Sequence, residues 1–231
     1  LELDGRLAGK SAGQWRPGYQ VDLDGMTDIS GGVLRWRDEA GVVEATLEEA
    51  ELKCGWHKDS LAGQLLLELG DHGEVVGSFD LPVAGGLPPR FDPDGPLEAG
   101  VKLRLAEKGL VAALLPGVVQ ETAGRLEGQL ALSGSQKAPR LSGELQLAGG
   151  GAYFPAAGIQ LVDIGVLARV NDNRVDLEAL SLRSGAGALE GRGAVTFEGW
   201  MPVGYEGRLR GERFEAVSLP EVRLLVSPDL T

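Results

Sequence analysis

The residues with chemistry to offer are few. The chain has one cysteine, Cys54, and two histidines, His57 and His72. Cys54 and His57 stand three apart, which suits two ligands of a zinc ion, but no second cysteine or histidine pair completes a tetrahedral set. His72, Asp71 and Asp59 would join them only by an accident of folding, so the expectation is a lone thiol, an exposed histidine and no metal site. Asp92 and Asp94 ahead of Gly95 resemble the start of a calcium loop, but that frame needs a glutamate near position 103, where Leu103 stands. A polar turn is expected instead. The 34 acidic residues could hold an acid–base pair of the glycosidase kind, yet nothing singles out two of them. No Gly-x-Ser-x-Gly elbow is present, and no glycine loop leads from a strand into a helix to cradle phosphate. The expectation is a chain that is not an enzyme and uses no cofactor.

Composition narrows the partners. A net charge of −12 over 231 residues argues against nucleic acid, which is bound by basic surfaces that neutralise phosphates. It argues equally against electrostatic adsorption to anionic headgroups. The longest apolar run, GLVAALLPGVV from Gly109 to Val119, is too short to span a bilayer and contains Pro116. The chain opens at Leu1 in mid-pattern, so it reads as an excised stretch, with any membrane anchor outside it.

The elements that would position any functional residue are strands. VDLDG (21–25), ELKCGW (51–56), GQLLLELG (63–70), VVGSFDLPV (75–83), VKLRLAE (101–107), GRLEGQLALSG (124–134), LSGELQLAG (141–149) and GALEGRGAVTFEG (187–199) place apolar residues two apart. That period belongs to strands with one greasy and one wet face. RDEAG (37–41), GDHGE (70–74), PDG (93–95) and NDN (171–173) supply tight-turn residues between them. About a dozen to fifteen strands follow, too many for one ordinary open sheet of ~10 strands. At most one short helix is expected, near 108–115. The proline- and glycine-rich stretch 85–96 reads as a long loop on one continuous ribbon spanning 1–231, because alternation resumes on both sides.

Thirty-six glycines form no collagen triplet. Leu-x-Gly recurs at Leu7/Gly9, Leu61/Gly63, Leu126/Gly128, Leu141/Gly143, Leu189/Gly191 and Leu209/Gly211, usually opening an alternating stretch. Such repetition implies an elongated, quasi-one-dimensional fold, with glycines marking bends or close approaches. Trp15, Trp36 and Trp56 fall at near-equal steps. As an exposed ladder they would support an extracellular adhesin or carbohydrate-binding β-solenoid, although aromatic residues make up only 5% of the chain.

From about Val75, and most clearly over 114–231, the sequence resembles the TamB family, the translocation and assembly module proteins of the bacterial envelope. The run GRLEGQLALSGSQKAPRLSGELQLAGGGAYFPAAGIQLVDI (124–164) carries the resemblance. NDNRVDLEALSL (171–182), SGAGALEGRGAVTFEG (184–199), YEGRLRGERF (205–214) and VSPDL (226–230) follow in order.

The resemblance implies an all-β, curved antiparallel ribbon folded lengthwise into a trough with an apolar interior. It implies a periplasmic location, tethering to the inner membrane, and work beside an outer-membrane barrel of the Omp85 class. The implied activity is phospholipid transport to the outer membrane, with a role in outer-membrane protein assembly also argued. Within the best-matched region, alternation nominates Leu126, Leu130, Leu132, Leu141, Leu145, Leu147, Val162, Ile164, Val166, Val170, Val175, Leu177, Leu189, Val195 and Phe197 as the residues lining the groove and meeting acyl chains. The same pattern would fill an ordinary closed core.

Overall fold

In the computed structural model the described residues are 2–15, 21–38, 41–84, 90–107, 117–199 and 201–231. The helix expected near 108–115 lies outside them. The first strands are long: β1 (Glu2–Trp15), β2 (Val21–Asp38), β3 (Gly41–His57) and β4 (Ser60–Glu68). A 3-10 turn at Gly70–His72 leads into β5 (Gly73–Leu81). Two-residue strands β6 (Val83–Ala84) and β7 (Arg90–Phe91) precede β8 (Glu98–Glu107) and β9 (Gln120–Gly134). Then come β10 (Pro139–Phe154), β11 (Ile159–Asp172), β12 (Arg174–Ser184), β13 (Gly187–Glu198) and β14 (Met201–Glu212). A hairpin, β15 (Phe214–Leu219) and β16 (Val222–Val226), and a two-residue β17 (Asp229–Leu230) end the chain. The excess over the dozen to fifteen strands expected consists of the two-residue segments.

The protein is all-β. Thirteen strands form one antiparallel sheet, β1-β2-β3-β4-β5-β8-β9-β10-β11-β12-β13-β14-β17, whose first and last strands do not meet. The sheet is therefore open. β6 and β7 pair only with each other, and β5 pairs directly with β8, so the sheet runs past the 82–97 excursion without a break. The ribbon is curved, since one concavity of about 980 Å³ is lined jointly by β1 to β5, β8 and β9. The surface, 14672 Å², far exceeds the roughly 10,000 Å² of a compact protein of this mass.

Register keeps one face apolar because residues directly opposite each other share a face. Strands also bend at bulges, where an extra residue shifts that parity. Gly149, at φ +59°, and Asp163, at φ +52°, mark the two shifts in the β10–β11 ladder.

The tryptophans do not form a ladder. Trp15 pairs with Val21 and Trp56 with Leu23, at one end of β2, whereas Trp36 pairs with Val43 at the other. Between Val21 and Trp36 lies about 50 Å of strand path. The even spacing in sequence equals one strand plus its turn, so successive tryptophans land on alternate ends of an antiparallel ribbon.

Several glycines of the repeated motif, Gly63, Gly128 and Gly191 among them, lie beside bulky side chains of the next strand. A Cβ on Gly63 would fall 2.5 Å from Phe79 Cζ and 2.8 Å from the Lys53 carbonyl oxygen. On Gly77 the nearest atom would be 3.5 Å away. Gly63→Ala should therefore lower unfolding stability by about 1–3 kcal/mol. Gly77→Ala, on the same face, should change it by less than about 0.5 kcal/mol. Urea midpoints of the two variants check this, and equal midpoints would contradict the packing.

Candidate functional site: the apolar face of the sheet

Following the register across the sheet assembles one continuous face. One row runs Leu52, Leu65, Gly77, Val101, Leu130, Gly143, Val170, Val175, Val195 and Tyr205 from β3 to β14. The neighbouring row runs Ala50, Leu67, Val75, Leu103, Gly128, Leu145, Ala168, Leu177, Gly193 and Gly207. A third carries Leu105, Leu126, Leu147, Val166, Leu180, Gly191, Leu209 and Leu230. On these middle rungs no side chain is charged. Charge of the same parity returns at strand ends, as at Asp172 opposite Leu141.

Large residues on this face lie over the glycines of adjacent strands. A Cβ at Gly128 would meet Leu145 Cδ2 at 2.5 Å, and one at Gly191 would meet Leu209 Cδ1 at 3.1 Å. Likewise a Cβ at Gly150 would meet Ile164 at 2.8 Å. The Leu-x-Gly motif thus puts leucine and glycine on one face of a strand, with the glycine giving room to a neighbour's side chain.

No second sheet of comparable size covers this face among the described residues. Its side chains are mostly half-buried, and Leu52 and Leu65 are each 37% exposed. Fully buried apolar side chains are few among the described residues; they include Ile159, Ala152 and Phe214. Those three lie where the β15–β16 hairpin covers the ends of β11 to β13. There the wholly buried Ser184 hydroxyl donates to the Glu215 carbonyl oxygen at 2.7 Å, and the Ser218 N–H donates to the Ala157 carbonyl oxygen at 2.8 Å. At the other end of the strands the 82–97 excursion is tied down. Trp56 Nε1 donates to the Val83 carbonyl oxygen at 2.9 Å, and the Leu97 N–H donates to that of Gly134 at 2.8 Å. The VSPDL element docks on β14, where the Gly211 N–H donates to the Pro228 carbonyl oxygen at 2.9 Å and Leu209 pairs with Leu230.

The opposite face carries the charge. Arg169 pairs with Glu144 and Glu178, and its pKa is raised, chiefly by the hydrogen bond to Glu144. Arg174 pairs with Glu206 and Asp176, and its pKa is raised, chiefly by the hydrogen bond to Glu206. Arg104 faces Glu74 at 3.6 Å and Arg183 faces Asp163 at 3.5 Å. These pairs are exposed and screened, so they organise the wet face more than they stabilise the fold.

Of the fifteen residues nominated for the groove, Leu126, Leu130, Leu132, Leu141, Leu145, Leu147, Ile164, Val166, Val170, Val175, Leu177, Leu189, Val195 and Phe197 all map to the apolar face. Val162 does not. It pairs with Arg183 on the charged face and is 41% exposed. The bulge at Asp163 moves the apolar parity of β11 from Ile159 and Leu161 to Ile164, and strict period-two counting steps over that extra residue. Sequence reasoning also passed over Leu103, Leu105, Val101 and Phe79, although alternation in 75–107 carries the same signal. Leu180 and Leu182 escaped it because a register shift between Leu177 and Leu180 breaks their count.

The residues with catalytic or metal-binding potential do not converge. Cys54 pairs with Gly25 and Gly63 on the apolar face, whereas His57, exposed on the other, has Nε2 3.1 Å from Asp24 Oδ1. His72 is buried in the 3-10 turn beyond the far end of β4. Asp94 donates its N–H to Asp92 Oδ1 at 3.0 Å and pairs through its carboxylate with Lys137 at 2.7 Å, as a polar turn. Among the described residues no group of three or more histidine, cysteine, aspartate or glutamate side chains is arranged to hold a metal ion.

Ser184→Ala should free the hairpin cap, because it leaves the Glu215 carbonyl without its donor, at a cost of about 1–3 kcal/mol. Hydrogen exchange over 214–226 should quicken while the β9–β10 amides stay protected. Uniform loss of protection would show that the hairpin is not a separate cap. Comparison with protein-family models, with curated proteins and with solved structures finds no match to this chain.

Proposed function

We propose that this chain shelters lipid acyl chains on its apolar sheet face and passes them along the ribbon, as a phospholipid conduit between two membranes. One observation carries the reading: a face without charge on its middle rungs runs across β3 to β14, and no second layer of comparable size covers it among the described residues. Moving a two-tailed lipid through water exposes some thirty methylenes at ~0.8 kcal/mol each, or roughly 20 kcal/mol, so transfer needs a continuous greasy path. From β3 to β14, nine strand-to-strand steps of ~4.8 Å give a path of about 43 Å. An ordinary soluble core is a weaker account, because a closed core would bury these side chains fully rather than halfway.

The resemblance to the TamB family gives this reading its setting. The chain then works in the periplasm, within a protein held at the inner membrane. It delivers lipid toward an outer-membrane barrel of the Omp85 class, with a secondary part in outer-membrane protein assembly. No particular observation favours the adhesin or carbohydrate-binding alternative once the tryptophans fall at opposite strand ends.

Leu145 and Gln146 test the conduit by pairing a change on each face. Leu145 sits over Gly128 on the apolar face and Gln146 is exposed on the other. Leu145→Asp puts a charge among acyl chains, worth several kcal/mol against their binding, and should cut lipid capture by the purified chain at least about tenfold. Gln146→Asp should leave capture unchanged. A Leu145→Asp variant that folds and captures lipid like the wild type would remove the conduit reading, and one that unfolds outright would make the face a core. Photo-crosslinkers at Leu130 and Leu145 should form lipid adducts in envelope preparations; adducts to protein alone would count against the groove.

A further inference from the structure

The β15–β16 hairpin leaves the main sheet and returns to it at a single place. Arg213, between β14 and β15, takes a left-handed backbone at φ +47°, and its N–H donates to Ser227 Oγ at 3.0 Å. Beside that bond the Gly211 N–H donates to the Pro228 carbonyl oxygen, and β17 settles on β14. Residues 214–226 therefore hang from two feet that are hydrogen-bonded to each other. We infer that this hairpin is a hinged flap, which swings about Arg213 and Ser227 to cover and uncover the end of the apolar face at β11 to β13. The inference goes beyond the conduit reading and holds for whatever partner that face takes.

Opening breaks no ladder of the main sheet. β15 and β16 pair only with each other, from Phe214 opposite Val226 to Leu219 opposite Val222. The ion pair between Arg223 and Glu215, at 2.6 Å, is likewise internal to the hairpin. Among the described residues two polar links join it to its seat. They are the Ser184 hydroxyl on the Glu215 carbonyl and the Ser218 N–H on the Ala157 carbonyl. Phe214 is its buried side chain. A segment held by so few contacts opens locally, without the sheet unfolding. Because the feet stay together, a few backbone angles absorb the motion.

The seat is shaped for the hairpin, so the closed position is specific. A Cβ on Gly158 would fall 2.3 Å from the Ser218 carbonyl oxygen, and one on Gly185 would fall 3.3 Å from Glu215 Cβ. At the hinge, a Cβ on Gly187 would fall 2.1 Å from the Arg213 carbonyl oxygen. Glycine thus lets the two backbones meet at the far end, the middle and the foot of the flap. Ile159, next to Gly158 where β11 begins, is 8% exposed in the closed position.

Thiol labelling of the folded chain tests the flap, with Cys54→Ser as background. Ile159→Cys should react at least about tenfold faster than Val170→Cys, which is as deeply buried but lies at the other end of β11. Adding Ser184→Ala should speed labelling at Ile159→Cys by about fivefold or more and leave Val170→Cys unchanged. Equal rates at the two sites, or rates at both that follow urea unfolding, would overturn the inference. Hydrogen exchange of the unmodified chain locates the hinge. A hairpin off its seat is marginal by itself, so amides of 214–226 should exchange while the Gly211 amide, bonded to Pro228, stays protected. If Gly211 exchanges together with the hairpin, the whole end of the chain peels away, and the hinge at Arg213 is refuted.

Discussion

The structure depends on one packing relation, a bulky side chain of one strand lying over a glycine of the next. Phe79 by Gly63, Leu145 by Gly128 and Leu209 by Gly191 repeat it along the ribbon. Side chains on one face of a sheet stand close to those directly opposite, so two large residues in every rung would crowd each other. Alternating large with absent side chains relieves that crowding and lets leucines lie flat. The glycines carry a conformational cost inside a strand, and the contacts laid over them offset it. Between β13 and β14 the exchange is mutual, with Leu209 beside Gly191 and Leu189 beside Gly211.

That packing also explains how so many strands coexist in a single layer. A sheet of thirteen strands must curve or divide, and bulges at Gly149 and Asp163 bend individual strands without breaking their pairing. The charged face carries long, exposed side chains whose ion pairs can adjust to the curvature, as around Arg169 and Arg174. The apolar face remains half-covered, with local caps where β15 meets Ser184 and where Val83 meets Trp56. Two small hairpins, and no second sheet of like size among the described residues, close the ends of the strands.

A half-covered apolar face costs solubility, and exposed greasy patches of this extent mark interaction surfaces in soluble proteins. The separation of charge from grease leaves one face of the sheet suited to water and the other to an apolar partner. Residues able to do covalent or metal chemistry are dispersed: Cys54 and His57 emerge on opposite faces because three residues along a strand reverses the side.

The strand class, the antiparallel neighbours and most of the apolar face were legible in the sequence, since period two and turn residues are local properties. Leu126 to Leu132 and Leu141 to Leu147 needed only counting. What counting missed follows from bulges: Asp163 at φ +52° turned Val162 to the charged face and brought Leu161 to the apolar one, and nothing in QLVDI announces the extra residue. The tryptophan spacing failed for a related reason, because an antiparallel path sends equal sequence steps to opposite ends. By itself the sequence determined which side chains can share a face, through the alternation of the backbone. Only the tertiary structure decided that the face stays half-open, because a closed core and an open trough use the same alternation and differ only in whether a second layer comes to cover it.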